Sequence, residues 1–138
     1  SFDYFLSLEQ DVIPEPDTIQ RLLENNVDII GGVVMGRQAV DGKEIIMPMA
    51  WVPSKFEDKM RYLTREELKL GRRVELIACS LSCLLIHRKV LEKISFRYED
   101  DVFDDIFFCQ DARKQGFRMF VDTAVRPKHW PSSWEGIR

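Results

Sequence analysis

The sequence predicts an α/β domain built on a mixed, largely parallel sheet flanked by helices. Three observations predict it. An apolar strand, an amphipathic helix and a second apolar strand follow one another within residues 2–35. A strand and a short helix occupy 82–94, and a helix at 105–115 runs straight into a last strand at 117–121. The chain has 138 residues, 45% hydrophobic and 31% charged, a profile that fits one globular unit and excludes a disordered tail or a coiled coil.

Each element has its own signal. Phe2, Tyr4, Phe5, Leu6 and Leu8 make a short aromatic and apolar run, closed by charges and then by Pro14 and Pro16, which reads as a buried strand. Beyond Pro16, Ile19, Leu22 and Leu23 recur at helical spacing, and Asn25-Asn26 supplies a stop signal. Residues 27–35 are again apolar and β-rich. Connections this short make a βαβ unit, whose parallel strands require a right-handed crossover. Residues 36–73 are less regular and read as an inserted loop region. Within it a hairpin is expected at Asp41-Gly42, an apolar patch at 45–51 broken by Pro48 and Pro53, and a charged helix at 64–70. Strands follow at 74–78 and 82–86, then a helix at 88–94 with Val90, Leu91 and Ile94 on one side. For the helix at 105–115, Asp104 is the expected N-cap and Gly116 the left-handed residue just past the end. No repeat or linker divides the chain, so residues 1–138 read as a single domain; because a strand begins almost at Ser1, further residues upstream are expected.

Twenty Lys and Arg against twenty-three Asp and Glu give a net charge of -3, so no overall positive field points to nucleic acid. Cys79, Cys83 and Cys109 are odd in number and sit in apolar surroundings, which reads as reduced core thiols in a reducing compartment. No apolar run approaches the roughly 18 residues a membrane helix needs.

Few residues are placed to do chemistry. Glu9 and Asp11 lie two apart at the exit of the first strand, where extended backbone would send both side chains to one side. Open α/β sheets gather ligands at that end, and paired carboxylates suit a hard cation such as Mg²⁺ or Mn²⁺. The plainer reading is a solvated turn before prolines. Asp104 reads chiefly as a cap. Asp105, at a helix N-terminus, is the better candidate to accept a proton from a hydroxyl, although the helix dipole would hold it ionised and lower its basicity. His129, between Arg126, Lys128 and Trp130, is by itself an ordinary surface histidine.

Order and context change these weights. The segment Tyr4-Phe5-Leu6-Ser7-Leu8-Glu9-Gln10-Asp11 ends in an acidic pair. Cys83-Leu84-Leu85-Ile86-His87-Arg88 is a strand entering a helix, and Asp104-Asp105-Ile106-Phe107-Phe108 opens a helix that ends at Gly116. With Val121-Asp122 and His129, this ordered set resembles glycosyltransferase family 2-like enzymes of the A-type glycosyltransferase fold, over residues 4–129. The resemblance implies a partial nucleotide-diphospho-sugar transferase fold, the C-terminal two-thirds of a catalytic domain without its N-terminal nucleobase-binding strands. It implies that Asp11, helped by Glu9, binds Mn²⁺ or Mg²⁺ on the diphosphate of a sugar nucleotide, with His129 a further ligand and Arg126 and Lys128 near phosphate. Asp105, beside Asp104, would be the catalytic base. Glu9 stands where the family more often has Asp, and Ala78-Cys79-Ser80-Leu81-Ser82 replaces a glycine-rich segment, which would alter donor choice.

The implied activity is metal-dependent transfer of a sugar to a carbohydrate, lipid-linked or protein hydroxyl, of the kind used in polysaccharide biosynthesis. The implied setting is cytoplasmic, with membrane association through other parts of a longer protein and with an upstream domain or oligomer partner. Trp51, Trp130 and Trp134 could pack against sugar faces. The alternative is a non-catalytic binding or assembly module that keeps the fold without turnover.

Overall fold

The computed structural model describes residues 1–56 and 59–130. β1 (Tyr4–Leu8) and the two-residue β2 (Val12–Ile13) lead into α1 (Thr18–Glu24), which stops at Asn25 and turns through Asn26 at φ +50°. β3 (Ile29–Gly32) is followed by the hairpin β4 (Met35–Val40) and β5 (Lys43–Pro48). Val40 pairs with Lys43, so the loop is Asp41-Gly42, both at positive φ, as a tight two-residue turn demands. β6 (Ala50–Pro53) and β7 (Met60–Tyr62) precede α2 (Arg65–Leu68), which opens on a capping box: Thr64 Oγ1 accepts from Glu67 N–H while the Glu67 carboxylate accepts from Thr64 N–H. β8 (Arg73–Leu76), β9 (Ala78–Cys79) and β10 (Cys83–His87) run into α3 (Arg88–Leu91), capped by the ring of His87. α4 (Asp104–Lys114), β11 (Met119–Asp122) and β12 (Lys128–His129) complete the order.

The main sheet has the order β1-β10-β3-β11-β8. Only β3 and β11 are parallel neighbours; β1–β10, β10–β3 and β11–β8 are antiparallel. The expectation of a largely parallel sheet is therefore corrected to a mixed one, accompanied by small antiparallel sheets: β4–β5, β12–β2 and β7-β6-β9. β1 and β3 do point the same way, since each is antiparallel to β10. They are not neighbours, because β10 has come between them. About half of the region read as an inserted loop is in fact strand, and Ala50 and Trp51 of β6 pair with Cys79 and Ala78 of β9.

Alternate residues of the central strands feed two cores. Ile29, Leu84, Ile86, Met119 and Val121 pack with Phe108 and Ala112 of α4 and Val90 of α3. Ile30, Cys83, Leu85 and Phe120 pack with Leu22 of α1 and with Val12 and Val125. Burial on both faces is why these strands read as continuous apolar runs. β3 is also sterically committed. A Cβ on Gly31 would stand 2.7 Å from the Cys83 carbonyl oxygen, and one on Gly32 would stand 2.9 Å from Pro127 Cδ. Among the described residues, no helix is long and apolar enough to cross a membrane.

A second correction concerns α4. Its N-cap is Phe103, and Asp104 is the first helical residue, exposed and without a capping bond. Gly116, at φ +85°, does terminate the helix as its sequence predicts.

Candidate functional site

The site begins where β1 ends. Glu9 N–H donates to the Ser82 carbonyl at 3.1 Å, and Val12 N–H reaches back to the Glu9 carbonyl at 3.1 Å, so residues 9–12 form a turn. The backbone between Glu9 and Asp11 is thus not extended, as the sequence suggested, yet the turn still gathers both carboxylates. Asp11 supplies its carbonyl to Trp130 N–H at 2.9 Å, and β12 lies against β2 with His129 opposite Val12.

β12 is delivered there by close backbone packing. Val33 N–H donates to the Val125 carbonyl at 2.9 Å, and the bare Cα of Gly32 lets Val125 and Pro127 approach. The ring of His129 is then held at both nitrogens, with Nδ1 at 2.6 Å from the Met35 carbonyl oxygen and Nε2 at 3.0 Å from Asp11 Oδ2. A carbonyl oxygen only accepts, so Nδ1 carries the hydrogen and Nε2 is the nitrogen turned toward the acids. One ligand atom from each of Glu9, Asp11 and His129 lies within 4.8 Å of the others. Two ligands on opposite sides of one small divalent cation stand roughly 4.2 Å apart, so a small closure would seat an ion. Two carboxylates and an imidazole whose far N–H is pinned by a backbone carbonyl form a donor set that suits Mn²⁺ better than Mg²⁺, for which only the two carboxylates are natural ligands.

Asp105 sits in the first turn of α4, its Oδ1 accepting from the adjacent Ile106 N–H at 2.8 Å. Burial raises its pKa above the usual carboxylate range, against the pull of that hydrogen bond and with the help of the negative charges on Asp104 and Glu9. The balance runs opposite to the helix-dipole expectation, because desolvation outweighs it. Asp105 opens onto a cavity of about 800 Å³ that Trp51, Ile77, Cys109 and Arg113 also line. The Cys109 thiol is satisfied there as a neutral group, donating to the Cys79 carbonyl at 3.3 Å and accepting from Cys79 N–H at 3.4 Å. All three cysteines are buried and free.

Other expected residues fall elsewhere. The Arg126 guanidinium donates to the carbonyls of Thr123 and Leu68, at 3.0 and 2.8 Å, and so ties β11 to α2. Lys128 is exposed, next to His129 on the two-residue strand. Trp51 packs on Tyr62 with ring centroids 5.4 Å apart, while Trp130 is 74% exposed. Trp134 lies outside the described residues. Sequence reasoning missed the Met35 carbonyl, which carries no side-chain signal. It also missed Arg113, which the four-residue recurrence Asp105, Cys109, Arg113 would have placed on the face of Asp105.

Comparison with known proteins is sparse. No family model matches the sequence, and no curated protein matches it either. Among solved structures, the fold is similar to that of A197 from STIV, a viral protein, with 17% identity and a TM-score of 0.53. The likeness covers 95% of this chain and 59% of that one, so the chain spans about three-fifths of its neighbour's length. At that identity the likeness speaks for the fold alone. The resemblance to family 2 glycosyltransferases is therefore overturned: no family model matches, and the structural likeness described is to A197, a viral protein. The motifs behind it are short, and their residue types also serve turns, caps and strand ends.

Proposed function

We propose that this protein is a metal-dependent glycosyltransferase that moves a sugar from a nucleoside diphosphate donor to a hydroxyl acceptor. The observation that carries the proposal is the setting of His129, with Nδ1–H fixed on the Met35 carbonyl and Nε2 directed at Asp11 beside Glu9. A second support is the half-buried carboxylate of Asp105, its pKa raised by partial desolvation, on the wall of the large cavity.

Asp11, Glu9 and His129 would hold Mn²⁺ or Mg²⁺, and the ion when bound offsets the negative charge that develops on a departing diphosphate. The chain's own residues do the rest. The Met35 carbonyl keeps the His129 ring in the tautomer whose Nε2 is free to bind. Asp105 takes the acceptor's hydroxyl proton as the new bond from acceptor oxygen to sugar carbon forms and the bond from that carbon to the diphosphate breaks. Partial desolvation suits Asp105 to the task by making it a stronger base than an exposed aspartate. Three free thiols support a reducing, cytoplasmic setting.

The test is a Mn²⁺ titration followed by electron paramagnetic resonance, with and without a panel of nucleoside diphosphates, on the parent chain and on Asp11→Asn and His129→Ala. Binding that one diphosphate tightens and both substitutions weaken is the expected result. Mn²⁺ binding that ignores every diphosphate would sink the transferase reading and favour a non-catalytic module.

A further inference from the structure

The cavity beside Asp105 has a chemical polarity that sugar transfer alone does not require. Asp105, Cys109 and Arg113 stand four residues apart on one face of α4, and all three line the cavity. At 1.5 Å per residue, the backbones of Asp105 and Arg113 are separated by about 12 Å along the helix. Arg113 is exposed, and its guanidinium makes no hydrogen bond or ion pair among the described residues. The side chain of Lys59, another lining residue, likewise has no partner among them.

Most of the remaining lining is apolar, with Gln38, Ser54 and Gln110 as the neutral polar exceptions. Met49, Trp51 and Ile77 contribute from the strand side, and Phe103 and Ile106 from the helix. Four large apolar side chains at this one cavity remain open to solvent: Phe56 at 73%, Phe103 at 69%, Met60 at 57% and Ile106 at 45%. Scattered single residues of this kind are ordinary, but a cluster around a concave site marks a place where an apolar body is received. An oligosaccharide would want more hydrogen-bonding groups than this lining offers, since Gln38 Oε1 already accepts from the Tyr62 hydroxyl and Ser54 Oγ from Phe56 N–H, leaving chiefly the amide groups of Gln38 and Gln110.

We infer that this cavity binds an amphiphilic acceptor, a hydroxylated alkyl chain ending in a carboxylate, with its hydroxyl at Asp105, its chain across Ile106, Phe103 and Trp51, and its carboxylate on Arg113. A guanidinium presents a flat fork that matches one carboxylate, and the single negative charge meets a site whose far end is cationic. The inference rests on the proposed function for the role of Asp105, but its binding test needs neither metal nor donor.

The probe is ω-hydroxydodecanoate, titrated by calorimetry below its micelle concentration, beside the corresponding α,ω-diol, which lacks the carboxylate. The hydroxy acid is expected to bind the parent chain about tenfold more tightly than the diol, a typical worth for one charge-assisted contact. Arg113→Gln removes that advantage and leaves diol binding unchanged, while Ile106→Ser weakens both ligands. Thermal melting checks that each variant folds. Equal binding of acid and diol, or acid binding that Arg113→Gln does not weaken, overturns the inference. So does failure of the acid to bind at all. If the acid binds as expected while Mn²⁺ shows no dependence on diphosphates, the transferase reading falls and the amphiphile site stands. The converse pair of results leaves the transferase reading and removes this one.

Discussion

The Nε2 of His129 lies 3.0 Å from Oδ2 of Asp11, although 118 positions of sequence separate them. The contact joins the turn after the first strand to the last described strand, and it depends on β2 pairing with β12. With Nδ1–H committed to the Met35 carbonyl, the pair can be stabilised in two ways: by a proton on Nε2 or by a cation between ring and carboxylate.

That choice makes His129 a test of the cation site. His129→Ala should weaken Mn²⁺ by at least the ten- to hundredfold range that even indirect supports of a metal site show, and Asp11→Asn should weaken it similarly. The fold should persist in both, because Asp11 is 43% accessible and neither residue belongs to the main cores. Paramagnetic resonance reads the affinity and circular dichroism the fold.

Gly32 supports the same site without touching it. An added Cβ would collide with Pro127 Cδ at 2.9 Å and Val125 Cγ1 at 3.0 Å, pushing away the segment that brings in His129. Gly32→Ala should therefore weaken Mn²⁺ binding as well as stability. Gly31→Ala, which meets the Cys83 carbonyl oxygen at 2.7 Å, should destabilise by about 1–3 kcal/mol through strain in the sheet. Urea denaturation of the two variants, set beside their metal titrations, separates the effects.

Asp105→Asn should cut transfer by roughly 10²–10⁴-fold while leaving Mn²⁺ affinity nearly intact. Its stability signature is also specific. Burial raises the folded-state pKa of Asp105, so the folded protein holds this proton more tightly than the unfolded chain does. Stability from this group therefore falls as pH rises from the ordinary aspartate value, about 3.9, through the raised folded value. Melting curves across that window should show Asp105→Asn gaining on the parent as pH rises, and the gain should fade at acid pH.

Glu67 behaves in the opposite sense. The bidentate Arg61 guanidinium, at 2.8 and 2.9 Å, and the capping box hold its pKa down to about 2. Its contribution is complete above the ordinary glutamate value of about 4.3 and is lost as pH falls toward 2. Thr64→Ala should cost about 1 kcal/mol at neutral pH, measured by chemical denaturation, because it leaves the first turn of α2 without its side-chain cap.

Local features of the fold were legible in the sequence, and non-local ones were not. Asp41-Gly42 announces its hairpin because a tight turn needs two positive-φ residues, and Gly116 announces a helix end for the same reason. Sheet direction has no such signature. The apolar strand Cys83–His87 reads identically whether it runs with its neighbours or against them, so its antiparallel insertion between β1 and β3 was invisible. The site divides the same way. Glu9 and Asp11 were visible as acids two apart, but their geometry comes from a turn closed by Val12 N–H on the Glu9 carbonyl and anchored on Ser82, and the partner that orients His129 is a main-chain carbonyl. Arg126 drew notice for its charge, yet its hydrogen bonds to two carbonyls serve packing.

The insertion of β10 also sets a timetable for synthesis. β1 and β3 are both made before residue 33, but neither can settle beside the other until Cys83–His87 has been made. A nascent chain that has reached β3 but not β10 therefore carries two apolar strands without the one that joins them. Assembly of the sheet is a late, cooperative event, and arrest of translation before residue 83 should leave those strands open to chaperones, proteases and one another.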